Sequence, residues 1–336
     1  MNILVMVTGG LSEVLQATPL LRTLNEGLPG ARITLAAPTA ARGLSGGLPG
    51  TAEIVPLDAL SEGVTALRVR AAWPPLRRRR FDAAVLCSTW PRARLLAYAA
   101  GIPRRVGPAG GATEILLSEH LSPREGDNDA ATWLGLAGFL GVQRRVHDPQ
   151  FVPEPVARTA GEARLLGSGF EDGRILVAIA PGEGLPGSAR TPVARWEQDR
   201  YAHLANQLGL RHGAAVVLLG TPADRAAVER VLLDLDASVL DLCGELGIDE
   251  MAAVVARCDL LVGGDSPLLH LAAAVGTPAV GLFAATDGRR RGPYGPQHRV
   301  IQGLNGMHDN GIAGLSGIRV EDVLAGIEMT PVATRP

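Results

Sequence analysis

Gly263-Gly264-Asp265-Ser266-Pro267-Leu268-Leu269-His270-Leu271-Ala272-Ala273-Ala274, followed by Val275-Gly276-Thr277-Pro278, runs a strand end, a small polar turn and a helix together without a gap. Residues 260–262 have strand length and composition, and 268–275 is an apolar helical run closed by Gly276. A strand that turns directly into a helix leaves unpaired N–H groups at the helix opening, and these favour an anion. A diphosphate suits that place. Asp265 can accept hydrogen bonds from ligand hydroxyls, and Ser266 can cap the helix or touch phosphate; the alternative is that both residues only cap.

Outward from this stretch the same grammar repeats. In the first half, strand-like runs at 3–7, 32–36, 52–56 and 83–87 alternate with helical patterns at 14–25, 93–100 and 128–140. Residues 148–155 (DPQFVPEP) carry three prolines in eight positions, which predicts a linker. The second half restarts with strands at 175–180, 215–219, 260–262 and 280–283, and helices at 199–208, 222–233, 249–257 and 268–275. This predicts an α/β chain of two Rossmann-like doubly wound domains, 1–155 and 156–336. Ligands of such sheets bind outside the carboxyl ends of the strands, here in a cleft across which the two domains face.

The length of 336 residues agrees with two domains of about 150 each. The opening MNILVMVTGG lacks a basic leader and meets glycine after a short apolar run, so it reads as a buried first strand. No apolar stretch approaches the roughly 20 residues that span a bilayer, so a cytoplasmic protein is expected. Cys87, Cys243 and Cys258 lie at unrelated spacings in apolar surroundings, which predicts reduced structural thiols and no metal site. All 32 basic residues are arginine, and the net charge of -2 argues against nucleic acid as a partner. Gly9-Gly10 alone is a weak nucleotide fingerprint. Arg77-Arg78-Arg79-Arg80 reads as a charged helix end before a strand, the alternative being contact with anionic lipid or a phosphorylated acceptor.

The stretch 258–296, with D-S-x-x-x-H-L-A-A-A-x-G-T-P from Asp265 and then Gly292-Pro293-Tyr294-Gly295, resembles the ADP-heptose glycosyltransferases, the heptosyltransferases of lipopolysaccharide core assembly. The resemblance extends over nearly the whole chain. Gly9-Gly10-Leu11-Ser12-Glu13-Val14 with Thr18-Pro19 is similar to that family's first loop. Phe81-Asp82, Pro181-Gly182, Arg195-Trp196, Leu219-Gly220-Thr221 and Leu242-Cys243-Gly244 follow in the family's order.

The resemblance implies a GT-B fold, with the acceptor on the N-terminal domain and an ADP-sugar on the C-terminal one. It also implies inversion at the anomeric carbon without a required metal or other cofactor. Glu13 stands where the family usually has Asp, as the base that takes the acceptor's proton, within the acceptor loop of Gly9, Gly10 and Ser12. A Glu that merely favours the positive end of a helix is the alternative. The implied donor residues are Gly182, Gly220, Thr221, Asp265, Ser266 and His270, with Leu246 at the position that packs on adenine. Where the family usually places a phosphate-binding Lys this chain has Ala194, so Arg195 or Arg190 would supply that charge, and Pro267 replaces a usual Gly. The implied acceptor is a hydroxyl on a lipopolysaccharide core or on a small natural product such as an aminoglycoside. A non-catalytic nucleotide-sugar binder and a nucleotide-sugar epimerase or hydrolase are the competing functions. A monomer without membrane insertion is expected, with peripheral membrane contact left open.

Overall fold

A strand buried on both faces needs an unbroken apolar run, and Ile3-Leu4-Val5-Met6 meets that need with no solvent exposure at any of the four residues. It forms β1 (Asn2–Met6), the centre of the first of two parallel sheets in this computed structural model. The structure describes residues 1–58, 66–143, 145, 147–182, 196–236, 238–284, 286–307 and 313–330. The chain divides into two units, Met1–Gln150 and Phe151–Pro336. That division falls within the proline-rich segment, and Phe151 already bonds into the second unit, its N–H donating to the Ala274 carbonyl at 2.7 Å.

In the first unit β1 leads to α1 (Leu11–Gln16), α2 (Thr18–Gly27), β2 (Arg32–Ala37) and β3 (Glu53–Pro56). Then follow α3 (Ala66–Arg78), β4 (Ala83–Leu86), α4 (Pro91–Ala99), β5 (Arg104–Pro108), β6 (Glu119–Leu121) and α5 (Asp129–Gly135). The strand order is β3-β2-β1-β4-β5-β6, each pair parallel. The helix expected at 14–25 is instead two helices meeting at Ala17. Pro19 stands in the first turn of α2, where its missing N–H costs nothing, and the Thr18 hydroxyl donates to the Leu15 carbonyl at 2.6 Å. Only the first part of the 128–140 pattern is α-helical. Asn128 caps it by accepting the Ala130 N–H at 3.0 Å, and the chain tightens into a 3-10 turn before Gly141 ends it at φ +79.

The second unit runs α6 (Pro155–Gly167), β7 (Leu176–Ala180), α7 (Gln198–His212), β8 (Ala215–Leu218), α8 (Arg225–Leu233) and β9 (Val239–Asp241). It continues with α9 (Ile248–Arg257), β10 (Leu260–Gly264), α10 (Pro267–Val275), β11 (Ala279–Phe283), α11 (Gly288–Arg291) and β12 (Arg299–Gln302). A small antiparallel pair, β13 (Leu304–Met307) and β14 (Ala313–Gly314), precedes the last helix, α12 (Val320–Glu328). The six-stranded sheet has the order β12-β11-β10-β7-β8-β9, again with every pair parallel. Its core gathers Val177, Ile179, Leu204, Val216, Leu218, Val262 and Leu282. Trp196 and Tyr201 join them edge to face, 4.8 Å apart, and the Trp196 ring N–H donates to the Ile318 carbonyl at 2.8 Å.

Both sheets thus grow outward in two directions from their first strand, which is the doubly wound pattern. The direction in which successive strands are added reverses between β1 and β4 in one unit and between β7 and β10 in the other. At these switch points the loops leaving adjacent strands part to opposite faces, so a crevice opens at the carboxyl ends.

Candidate active site

In the first unit, Thr8-Gly9-Gly10 leaves the carboxyl end of β1 at the switch point and opens α1. Gly10 is the N-cap, extended at φ -81 and ψ -152, with no side chain to cover the helix end. Ser12 and Glu13 are half-buried in the first turn. The Glu13 carboxyl folds back onto Gly9 so closely that a Cβ on Gly9 would collide with it. Glycine at position 9 is therefore what lets the carboxyl group lie over the strand end. Gly9, Gly10, Ser12 and Glu13 form one continuous surface on a loop anchored by the buried Val7, Leu11 and Val14.

In the second unit, four adjacent strands, β10, β7, β8 and β9, end beside one another. At about 4.8 Å between neighbours they offer a row of loop openings roughly 14 Å long, the length scale of a nucleoside diphosphate. Gly182 follows β7, Gly220 and Thr221 follow β8, the half-buried Leu246 lies beyond β9, and Asp265 and Ser266 follow β10. The structure therefore brings Gly182, Gly220, Thr221, Leu246, Asp265, Ser266 and His270 to one edge of one sheet. Arg190 and Arg195 lie outside the described residues.

The middle of that row is organised by Asp224, which sequence reasoning did not single out. Its carboxylate is buried and accepts both the Thr221 N–H at 2.8 Å and the Thr221 hydroxyl at 2.7 Å, closing a capping box. The space that Cβ atoms on Gly182 and Gly220 would take is filled by Asp224. The visible signal was Thr-Pro-Ala-Asp at 221–224, a common helix start; of its two glycine partners Gly220 stands beside it in the same loop, and Gly182 comes from the loop after β7. Beside it the Cys243 thiol donates to the Thr221 carbonyl at 3.4 Å, and burial pushes its pKa up to about 11, so it is a packing group and not a nucleophile.

At β10 the turn opens α10. Ser266 is the N-cap, extended at φ -146 and ψ 160, yet its side chain makes no capping bond. Its hydroxyl is buried, with no hydrogen-bond partner among the described residues. Pro267 brings no N–H, and the Leu269 N–H turns back to the Ser266 carbonyl at 3.2 Å. The helix opening thus carries the Leu268 amide and the Ser266 hydroxyl, donors of the kind that favour an anion at a helix N-terminus. Asp265, half-buried, borders them.

One turn into α10, His270 is 3% exposed. Burial pushes its pKa down to about 3, with the nearby Arg291 and His298 charges adding to the effect. The ring is neutral at physiological pH, able to donate from one nitrogen and accept at the other. His298, before β12, is a second buried imidazole, and neither of its nitrogens has a hydrogen-bond partner among the described residues. Burial pushes it down to about 4. Sequence reasoning missed it because 27 residues and a strand separate the two rings. Among the described residues no cluster of His, Cys, Asp or Glu has the make-up of a metal site, and no helix is long and apolar enough to cross a membrane.

A family model described as glycosyltransferase family 9 (heptosyltransferase) matches residues 170–311. The chain is 30% identical to lipopolysaccharide heptosyltransferase 2 of Salmonella typhimurium over 322 residues, 92% of this chain and 90% of that one. It is similar to the structure of the Escherichia coli ADP-heptose LPS heptosyltransferase II, with a TM-score of 0.76, 26% identity and 98% of each chain covered. The structure of a family 9 glycosyl transferase from Veillonella parvula is similar in fold, with a TM-score of 0.81 at 21% identity over 97% of this chain and 96% of that one.

Proposed function

Because the chain belongs to glycosyltransferase family 9, the heptosyltransferases, and is therefore a glycosyltransferase with the Rossmann-like units of the GT-B fold, we propose that it moves a heptose from ADP-heptose to a hydroxyl of a lipopolysaccharide core. The observation that carries this reading is the opening of α10, where a buried, unpartnered Ser266 hydroxyl and a helix amide stand at the switch point of the second sheet. That is a site for the diphosphate of a nucleotide sugar. The curated relative's name supports the heptose and the lipopolysaccharide acceptor, and the solved heptosyltransferase II supports ADP as the nucleotide.

In this reading the first unit handles the acceptor and the second the donor. Glu13 takes the proton from the acceptor hydroxyl as its oxygen attacks the anomeric carbon. The bond from that carbon to the diphosphate oxygen breaks, ADP leaves with the electron pair, and attack from the opposite face inverts the configuration. Charge grows on the leaving diphosphate, which the Leu268 amide and Ser266 hydroxyl meet from the helix side. Arginine at 190 or 195 supplies the positive charge that Ala194 lacks. Neutral His270 and Asp265 orient the sugar hydroxyls, Leu246 packs against adenine, and the scheme needs no metal. The protein works in the cytoplasm as a monomer.

The test is ADP release with ADP-heptose and a heptose-deficient core acceptor. Glu13→Gln should lower kcat by about 10² to 10⁴ while ADP affinity stays within a factor of two or three. An equal loss of ADP binding would remove Glu13 from the role of base. Transfer to an aminoglycoside in preference to the core would overturn the acceptor.

A further inference from the structure

The arginines at 77–80 take no part in the sugar site, since they lie at the opposite, amino-terminal edge of the first sheet. α3 ends there, and the Arg79 carbonyl accepts from the Asn2 side chain at 3.2 Å, beside the start of β1. β4 begins at Ala83, next to the start of β5 at Arg104. Residues 77–80 and 104–105 therefore share one edge.

The charge at that edge is not balanced. Glu53 is engaged by Arg79 and Arg32, and Glu119 by Arg104 at 3.0 Å, while Asp82 accepts the Asn2 backbone N–H at 2.6 Å and keeps its single negative charge. Arg77, Arg78 and Arg80 remain exposed and have no carboxylate partner among the described residues. Arg77 lies over the Trp73 ring at 5.8 Å. Arg105 bonds only to the carbonyls of Leu116, Ile102 and Pro103 and lies over the Tyr98 ring at 5.4 Å, so it adds a further unneutralised charge. Three large apolar side chains stand exposed on the two elements next to Arg105, Tyr98 at 54% and Leu95 at 49% on α4 and Ile115 at 88% beside Leu116. Monomeric proteins seldom set bare aliphatic and aromatic side chains beside several unpaired cations without a partner for both.

We propose that this edge of the first unit docks on an anionic phospholipid surface, with Arg77, Arg78, Arg80 and Arg105 at the headgroups and Leu95, Tyr98 and Ile115 entering the interface. A lipid surface meets both halves of the patch. A nucleic acid meets only the charge, because Leu95 and Ile115 offer a phosphodiester nothing and the one exposed ring there is covered by Arg105. Rows of arginine flanked by aromatic and aliphatic side chains bind such surfaces at about a tenfold gain or less per cation, and salt weakens them. The inference does not rest on which sugar the enzyme transfers.

Flotation of the purified full chain with vesicles of equimolar phosphatidylcholine and phosphatidylglycerol, against pure phosphatidylcholine, tests it. Binding should require the anionic lipid and fall as salt rises. The variant Arg77→Ala/Arg78→Ala/Arg80→Asn should lose about a hundredfold in partitioning. Asn is chosen at 80 because that residue sits at φ +50, which Asn tolerates. Tyr98→Ser/Ile115→Ser should weaken binding while leaving its salt dependence in place. An unchanged ADP-induced thermal shift in each variant shows that the fold is intact. Equal binding to neutral vesicles, no loss in the triple variant, or equally tight binding to single-stranded DNA would overturn the proposal.

Discussion

Replacing Gly9 by alanine adds one methyl group at the point where the Glu13 carboxyl lies. The backbone at Gly9 is outside the left-handed region, so alanine fits the chain without strain and the perturbation is the methyl alone. Both Glu13 carboxyl oxygens stand 2.5 Å from the position of the new Cβ, whereas ordinary contact begins at 3.4 Å. The carboxyl must therefore retreat by about 1 Å. A misplacement of that size in a reacting group costs on the order of 10² in rate. Stability should change by less than about 1 kcal/mol, because a flexible side-chain end is all that moves. The assay is steady-state ADP release, varying donor and acceptor separately. Gly9→Ala should lower kcat about a hundredfold, leave KM for ADP-heptose unchanged, and add almost nothing to the loss already present in Glu13→Gln. A kcat equal to that of the parent, or a further hundredfold fall in the Glu13→Gln background, would refute the placing of Glu13 by Gly9.

Ser266→Ala removes a hydroxyl that has no hydrogen-bond partner among the described residues, so the denaturation midpoint should hold or rise slightly while ADP affinity falls by about 5- to 100-fold, one hydrogen bond to a charged group; isothermal titration reads both the loss and its absence. Asp224→Ala strips two hydrogen bonds from Thr221 and its helix cap, which should cost about 2–4 kcal/mol in urea unfolding of the second unit; a cost under about 1 kcal/mol would deny Asp224 its organising role. His298 and His270 are held near 4 and 3 by burial against 6.5 when unfolded, so the unfolded chain binds more protons below pH 6.5. Their contribution to stability is whole above pH 6.5 and is lost as pH falls through about 4 and 3. Urea midpoints from pH 7 down to 4.5 should fall less steeply in His298→Leu than in the parent, by up to about 1.4 kcal/mol per pH unit, and parallel slopes would contradict that origin.

How much of this was legible in the sequence follows from the range of the forces involved. β1, β7 and β10 are continuous apolar runs ended by glycine, a signal confined to a few neighbouring residues, and the turn from Gly264 to Ser266 into α10 could be read the same way. Glu13 came from the resemblance, because a lone carboxylate at a helix start is chemically ambiguous, and the resemblance decided between the two roles that the turn left open for Asp265. Other elements lacked a local signature. α3 carries Pro74 and Pro75 inside it, which argues against a helix on propensity, and packing against α4 overrides that penalty. β5 opens with two arginines and ends in proline, and β6 and β9 have three residues each, too short for alternation to show.

By itself, then, the sequence determined the two repeated βα halves, the loops that leave their central strands, and the anion-seeking end of α10, since each depends on contacts within one turn or one strand. Only the tertiary structure decided that the Asp224 carboxylate fills the space of Gly182 and Gly220, that the Ser266 hydroxyl is buried without a partner, and that His298 stands near His270. It alone also brought the arginines of 77–80 and 104–105 to one edge of the first sheet. Gly182 and Asp224, like His270 and His298, come from separate elements, and no pattern along the chain records which elements will become neighbours.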